Sequence, residues 1–63
     1  MKDYENLDEE LKQQIQEICD YDSYGSLSPE TLYRNIYHSS GSYIELAKIF
    51  DVVPSLVRSI KEN

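Results

Sequence analysis

Apolar side chains fall along this chain in four groups, each at helical spacing and each set off from the next by turn formers. In the first, Leu7, Leu11, Ile15 and Ile18 recur at steps of four, four and three, which predicts one stripe of an α-helix over about 7–19. Asn6 is placed to cap it, with Glu9 three residues on closing a capping box. Asp8, Glu9 and Glu10 put negative charge where the helix dipole favours it. The run 19–26, CDYDSYGS, breaks the spacing and reads as a loop. Its tyrosines, Tyr21 and Tyr24, offer a recognition surface or cover the edge of a small core with the hydroxyl in water.

A second helix opens at Ser28, the N-cap, with Pro29 in the first helical position, where its missing N–H costs nothing. Leu27 and Leu32 stand at the two ends of a hydrophobic staple, and Leu32, Tyr33, Ile36 and Tyr37 form a broad apolar face. The cluster 39–42, SSGS, ends this helix, with Gly41 free to take the left-handed conformation. Ser42 and Glu45 make another capping box for a third helix over about 43–50, burying Leu46, Ala47 and Phe50. Pro54 then starts a fourth over about 54–62, with Leu56, Val57 and Ile60 inward.

The predicted class is therefore all-α: a small helical bundle in one domain, 1–63, made of an acidic N-terminal helix and loop (1–27) and a three-helix unit (28–63). At this length a chain buries only about 60% of the surface it exposes when unfolded, so the three-helix unit needs further apolar cover.

The segment 43–62, YIELAKIFDVVPSLVRSIKE, resembles a DNA-binding helix-turn-helix, and 28–62 resembles the three-helix, homeodomain-like unit of resolvase- and invertase-type domains and of small phage and bacterial regulators. Ala47 stands where that motif places a small residue beneath the crossing helix, and Leu46, Val52, Val57 and Ile60 fill its buried aliphatic places. Two positions depart from the pattern. Asp51 replaces the usual turn glycine, a place that Asp tolerates better than most side chains. Val53 replaces the usual Ser or Thr cap, which removes about 1 kcal/mol of capping and a hydroxyl suited to a phosphate.

The resemblance implies that 54–62 is a recognition helix for the major groove of double-stranded DNA, with Val53, Pro54, Ser55, Arg58, Ser59 and Glu62 facing outward. Arg58 would pair with guanine, Ser55 and Ser59 would meet base or phosphate, and Lys48, Lys61 and Arg34 would reach the backbone. The implied protein is a transcriptional regulator or accessory factor.

Charge changes that picture. The net charge is −6, and residues 1–27 carry all of it: two lysines, Lys2 and Lys12, against eight carboxylates. Four basic residues and four carboxylates balance in the second half. With so few cations to release counterions, a monomer should bind DNA weakly. Either the acidic helix faces away from the duplex or the target is not DNA. A homodimer would double the contacts, and the stripe of Leu7, Leu11, Ile15 and Ile18, extended by Tyr4, suits such a seam, or a partner, or docking on the three-helix unit. The alternative reading is an acidic factor, an inhibitor, antirepressor or assembly partner, that engages a basic protein without nucleic acid.

The sequence offers little else chemically. Cys19 and His38 are single and lie in different segments, so no zinc site or Cys–His nucleophile pair is expected. His38 near a helix C-terminus is a favourable dipole partner. No enzyme, cofactor or small-molecule substrate is expected. One cysteine, no apolar run of about 20 residues and no signal-like N-terminus lead to the expectation of a cytoplasmic protein without a membrane span.

Overall fold

Serine and proline punctuation sets out most of the architecture. The computed structural model of the chain describes residues 2–21 and 27–62, and among these four α-helices follow a single 3₁₀ turn at Tyr4–Asn6. They are α1 (Glu9–Tyr21), α2 (Pro29–His38), α3 (Tyr43–Phe50) and α4 (Pro54–Lys61). The all-α class and the small helical bundle stand as expected. Ser28 Oγ accepts from the Thr31 amide at 3.2 Å and Ser42 Oγ from the Glu45 amide at 3.1 Å, so both predicted caps form.

The start of α1 differs from the expectation. Asn6 closes the 3₁₀ turn instead of capping a helix, and the first α-helical bond runs from the Lys12 amide to the Asp8 carbonyl at 2.9 Å. The reason lies 29 residues along, on α2: the Tyr4 ring meets Tyr33 edge-on, with centroids 6.1 Å apart. Tyr33 in turn donates its hydroxyl to the Lys2 carbonyl at 2.7 Å. Leu7, in extended backbone between turn and helix, drops into the core from outside α1. The other end also shifts, because α1 continues through Cys19 to Tyr21 where a loop was expected. Residues 22–26 of that expected loop, Tyr24 among them, lie outside the described residues, as does the Tyr21 side chain.

Gly41 is not the stop of α2. Ser39 is the C-cap, in extended backbone, and its amide returns to the Ile36 carbonyl at 3.3 Å. Gly41 has φ +134° in the link to α3, a region that L side chains rarely adopt, while a Cβ there would meet its neighbours only at 3.5 Å or more. Conformation, not space, calls for the glycine.

Asp51 turns the chain between α3 and α4 in the left-handed region, φ 56° and ψ 49°. Its amide and that of Val52 both return to the Ala47 carbonyl. Val53 then stands at the N-cap of α4 with no side-chain hydrogen bond.

The core draws on every helix. Leu32, Tyr33 and Ile36 of α2, Leu46 and Ala47 of α3, and Leu56, Val57 and Ile60 of α4 are buried together with Leu7, Ile15 and Cys19. α4 packs on each of the other three helices. The radius of gyration, 10.5 Å, matches the ~10.6 Å of a folded domain this long, so α1 docks on the three-helix unit and does not project from it.

That docking takes up part of the α1 stripe. Leu7 and Ile15 are enclosed in the chain's own core, and Leu11 and Ile18 are half-buried against it. The four-residue stripe therefore cannot serve whole as a dimer seam.

Candidate nucleic-acid interface

Helix α4 is amphipathic by position: Leu56, Val57 and Ile60 fill the core, and Pro54, Ser55, Arg58, Ser59 and Glu62 stand exposed with Val53 at the entry. Two features let it sit this way. Ala47 is 5% exposed and contributes only a methyl group at the α3–α4 packing, and the left-handed Asp51 reverses the chain within three residues.

The candidate contact residues have unequal freedom. Arg58 Nε is 2.9 Å from Glu62 Oε2, with 68% of the arginine side chain exposed. An exposed pair of this spacing is worth only about 0.3–0.5 kcal/mol, less than the ~1–3 kcal/mol of a bidentate guanine contact. The arginine can exchange one partner for the other. The Tyr43 hydroxyl also reaches Glu62, at 3.5 Å. Lys48, on α3, is exposed and has no ion-pair partner among the described residues. Arg34 pairs with Glu30 at 3.0 Å on the outside of α2.

Lys61 is placed otherwise than the resemblance implies. Its ammonium is half-buried, donates to the Tyr37 carbonyl at 2.7 Å and to the Ser39 carbonyl, and lies 5.9 Å from the Tyr37 ring centre. It closes the C-terminus of α2, where carbonyls lack helical partners and a cation is favoured. Lys48, Ser55, Arg58 and Ser59 remain as a solvent-facing set.

The acidic helix lies beside this set. One groove between α1 and α4 is lined by Gln14, Glu17 and Ile18 on one side and Asp51, Val52, Val53 and Leu56 on the other. Its continuation is lined by Asp8, Glu10, Leu11 and Gln14 against Ser59 and Glu62. The helices therefore run antiparallel, and α1 sets carboxylates along one flank of α4. Neither Arg58 nor Ser59 is covered.

Sequence spacing did not single out the outer face of α3. Ile44 and Ile49 are 61% and 69% exposed, and Tyr43 is 38% exposed. A signal was available: α3 is apolar at six of its eight positions, more than the single buried face of a short helix can absorb.

Other chemistry is limited. Among the described residues no group of three or more His, Cys, Asp and Glu is placed to hold a metal. Cys19 is buried, and burial, with Asp20 adding, pushes its thiol up. His38 packs edge-on against Tyr37 at 5.4 Å. No helix among the described residues is long and apolar enough to cross a membrane. No protein-family model, curated protein or solved structure matches the chain.

Proposed function

We propose that this is a helix-turn-helix protein that binds double-stranded DNA through α4 and acts in the cytoplasm as a transcriptional regulator or accessory factor of bacterial or phage type. One observation carries the reading: α3 and α4 join through a left-handed Asp51, with Ala47 buried at their packing and the outer face of α4 left to solvent around Arg58. A helix held on its neighbours by three inward residues, and polar outward, is the form that enters a major groove.

In this reading Arg58 reads a base edge, Ser55 and Ser59 contact base or phosphate, and Lys48 meets the backbone. Lys61 drops out of the contact set and supports α4 instead. With Arg58 on a base edge, Lys48 and Arg34 are the cations of this half left to meet phosphate, so the salt slope should be small, about −2 per protomer.

Titration of a labelled duplex pool between about 50 and 200 mM salt tests this, since affinity should fall along that slope. Arg58→Ala should weaken binding to a selected site by about 1–3 kcal/mol, and Lys48→Ala should weaken all sequences alike and flatten the slope by about one unit. No binding at the lowest salt, or binding indifferent to Arg58, rejects the proposal.

A further inference from the structure

The α1–α4 groove has a second character that DNA binding leaves unused. Its volume at the end near the α3–α4 turn is about 590 Å³, and its apolar lining there consists of Ile18, Val52, Val53 and Leu56. Val53 is 61% exposed, and Ile18 and Val52 are half-buried. Exposed Glu17 on α1 and Asp51 in the turn stand on the two walls. Along the continuation Asp8, Glu10 and Glu62 add three more carboxylates. No Lys or Arg lines either stretch among the described residues. An apolar floor between acidic walls is complementary to one kind of occupant.

We propose that this groove binds a basic amphipathic helix of a partner protein, with an apolar side chain seated against Val53 and Ile18 and with lysines or arginines meeting Glu17, Asp51, Glu10 and Asp8. Laying the apolar face of a helix in a groove, with charge fixing its direction, is a recurrent mode of recognition. Thirteen residues of α1 give a wall of about 20 Å, the length of a helix of three to four turns. The charge selects the occupant. A second copy of this chain would bring a net charge of −6 to a seam already lined with carboxylates, and a duplex would bring phosphates. Both are repelled at close range, whereas a basic helix is drawn in, and such pairing governs association rate and specificity. This inference stands apart from the DNA reading in the charge it uses and in its dependence on α1, although the groove shares Val53, Ser59 and Glu62 with the outer side of α4.

The probe is a synthetic helical peptide of about 14 residues, roughly 20 Å long, with leucines at i, i+4 and i+7, lysine at the flanking positions and alanine elsewhere. It is titrated into the isotopically labelled full chain while amide shifts are followed. The expected result is saturable binding with shifts concentrated at Gln14, Glu17, Ile18, Val52 and Val53. Glu17→Lys and Val53→Lys, both on exposed positions, should each weaken the peptide about tenfold or more. Glu30→Lys, the same charge change on α2 away from the groove, should weaken it less than about threefold. Circular dichroism of each variant keeps loss of fold separate from loss of binding. Equal binding by a peptide with its leucines scattered, or Glu30→Lys as damaging as Glu17→Lys, would overturn the proposal. So would the same shifts appearing on self-association of the chain or on addition of duplex DNA.

Discussion

The ammonium of Lys61, the last residue of α4, donates to the carbonyl of Tyr37 at 2.7 Å, across 24 positions of sequence. The contact joins two helix C-termini: α2 gains a cation at its negative end, and α4 is tied to the α2–α3 link. It also takes one positive charge out of reach of phosphate.

Lys61→Met should therefore act on stability. The substitution keeps an apolar stem but removes the donor, and the loss should be about 1–2 kcal/mol, seen as a melting temperature lower by roughly 4–8 °C per kcal/mol. An unchanged melt together with weaker DNA binding would mark Lys61 as a phosphate contact instead.

The α3–α4 turn holds two positions that set stability in opposite directions when changed. Val53→Ser supplies the missing cap of α4 and should add about 0.5–1 kcal/mol in urea unfolding. Asp51→Val should remove about 1–2 kcal/mol, because a β-branched side chain resists the left-handed region that Asp51 occupies. If Asp51→Val unfolded at the same urea concentration as the parent chain, the described turn would be wrong.

The acidic flank should oppose DNA. Glu10→Gln with Glu17→Gln removes two carboxylates beside α4, and duplex affinity at low salt should rise by about three- to tenfold, with the gain shrinking as salt screens it. A gain that persisted unchanged at high salt would point away from electrostatics.

One buried and one half-buried acid, Cys19 and Tyr4, set an alkaline limit. Burial pushes the Cys19 thiol above its ordinary 9.0, with Asp20 adding, and the Tyr4 phenol above its ordinary 10.0, with Cys19 and Glu9 adding. In the unfolded chain both lose their protons earlier, so their contribution is complete below pH 9.0 and is lost as pH rises past it and then past 10.0. Thermal melts in a pH series should fall above that point, and the double variant Cys19→Ala, Tyr4→Phe should show a shallower alkaline decline. Equal slopes for the two proteins would assign the decline to other groups.

What could be read from the chain alone was local. Ser28 with Pro29, Ser42, and Val-Pro at 53–54 place three helix starts through groups within four residues of one another, and the inward sets of α2, α3 and α4 follow from 3.6-residue spacing. Asp51 was legible too, since the αL region admits few side chains. Other features needed contacts between distant positions. The start of α1 moved from Asn6 to Asp8 because Tyr4 is held against Tyr33 and Leu7 is drawn into the core, neither of which a capping pattern encodes. Lys61 looks like any exposed terminal lysine until α2 ends beside it. The side of α4 along which the carboxylates of α1 lie also depended on docking, because spacing gives a helix its inner face but not its neighbour. Hydrogen bonds within a turn are written into adjacent residues; packing chooses among partners only when the whole core closes.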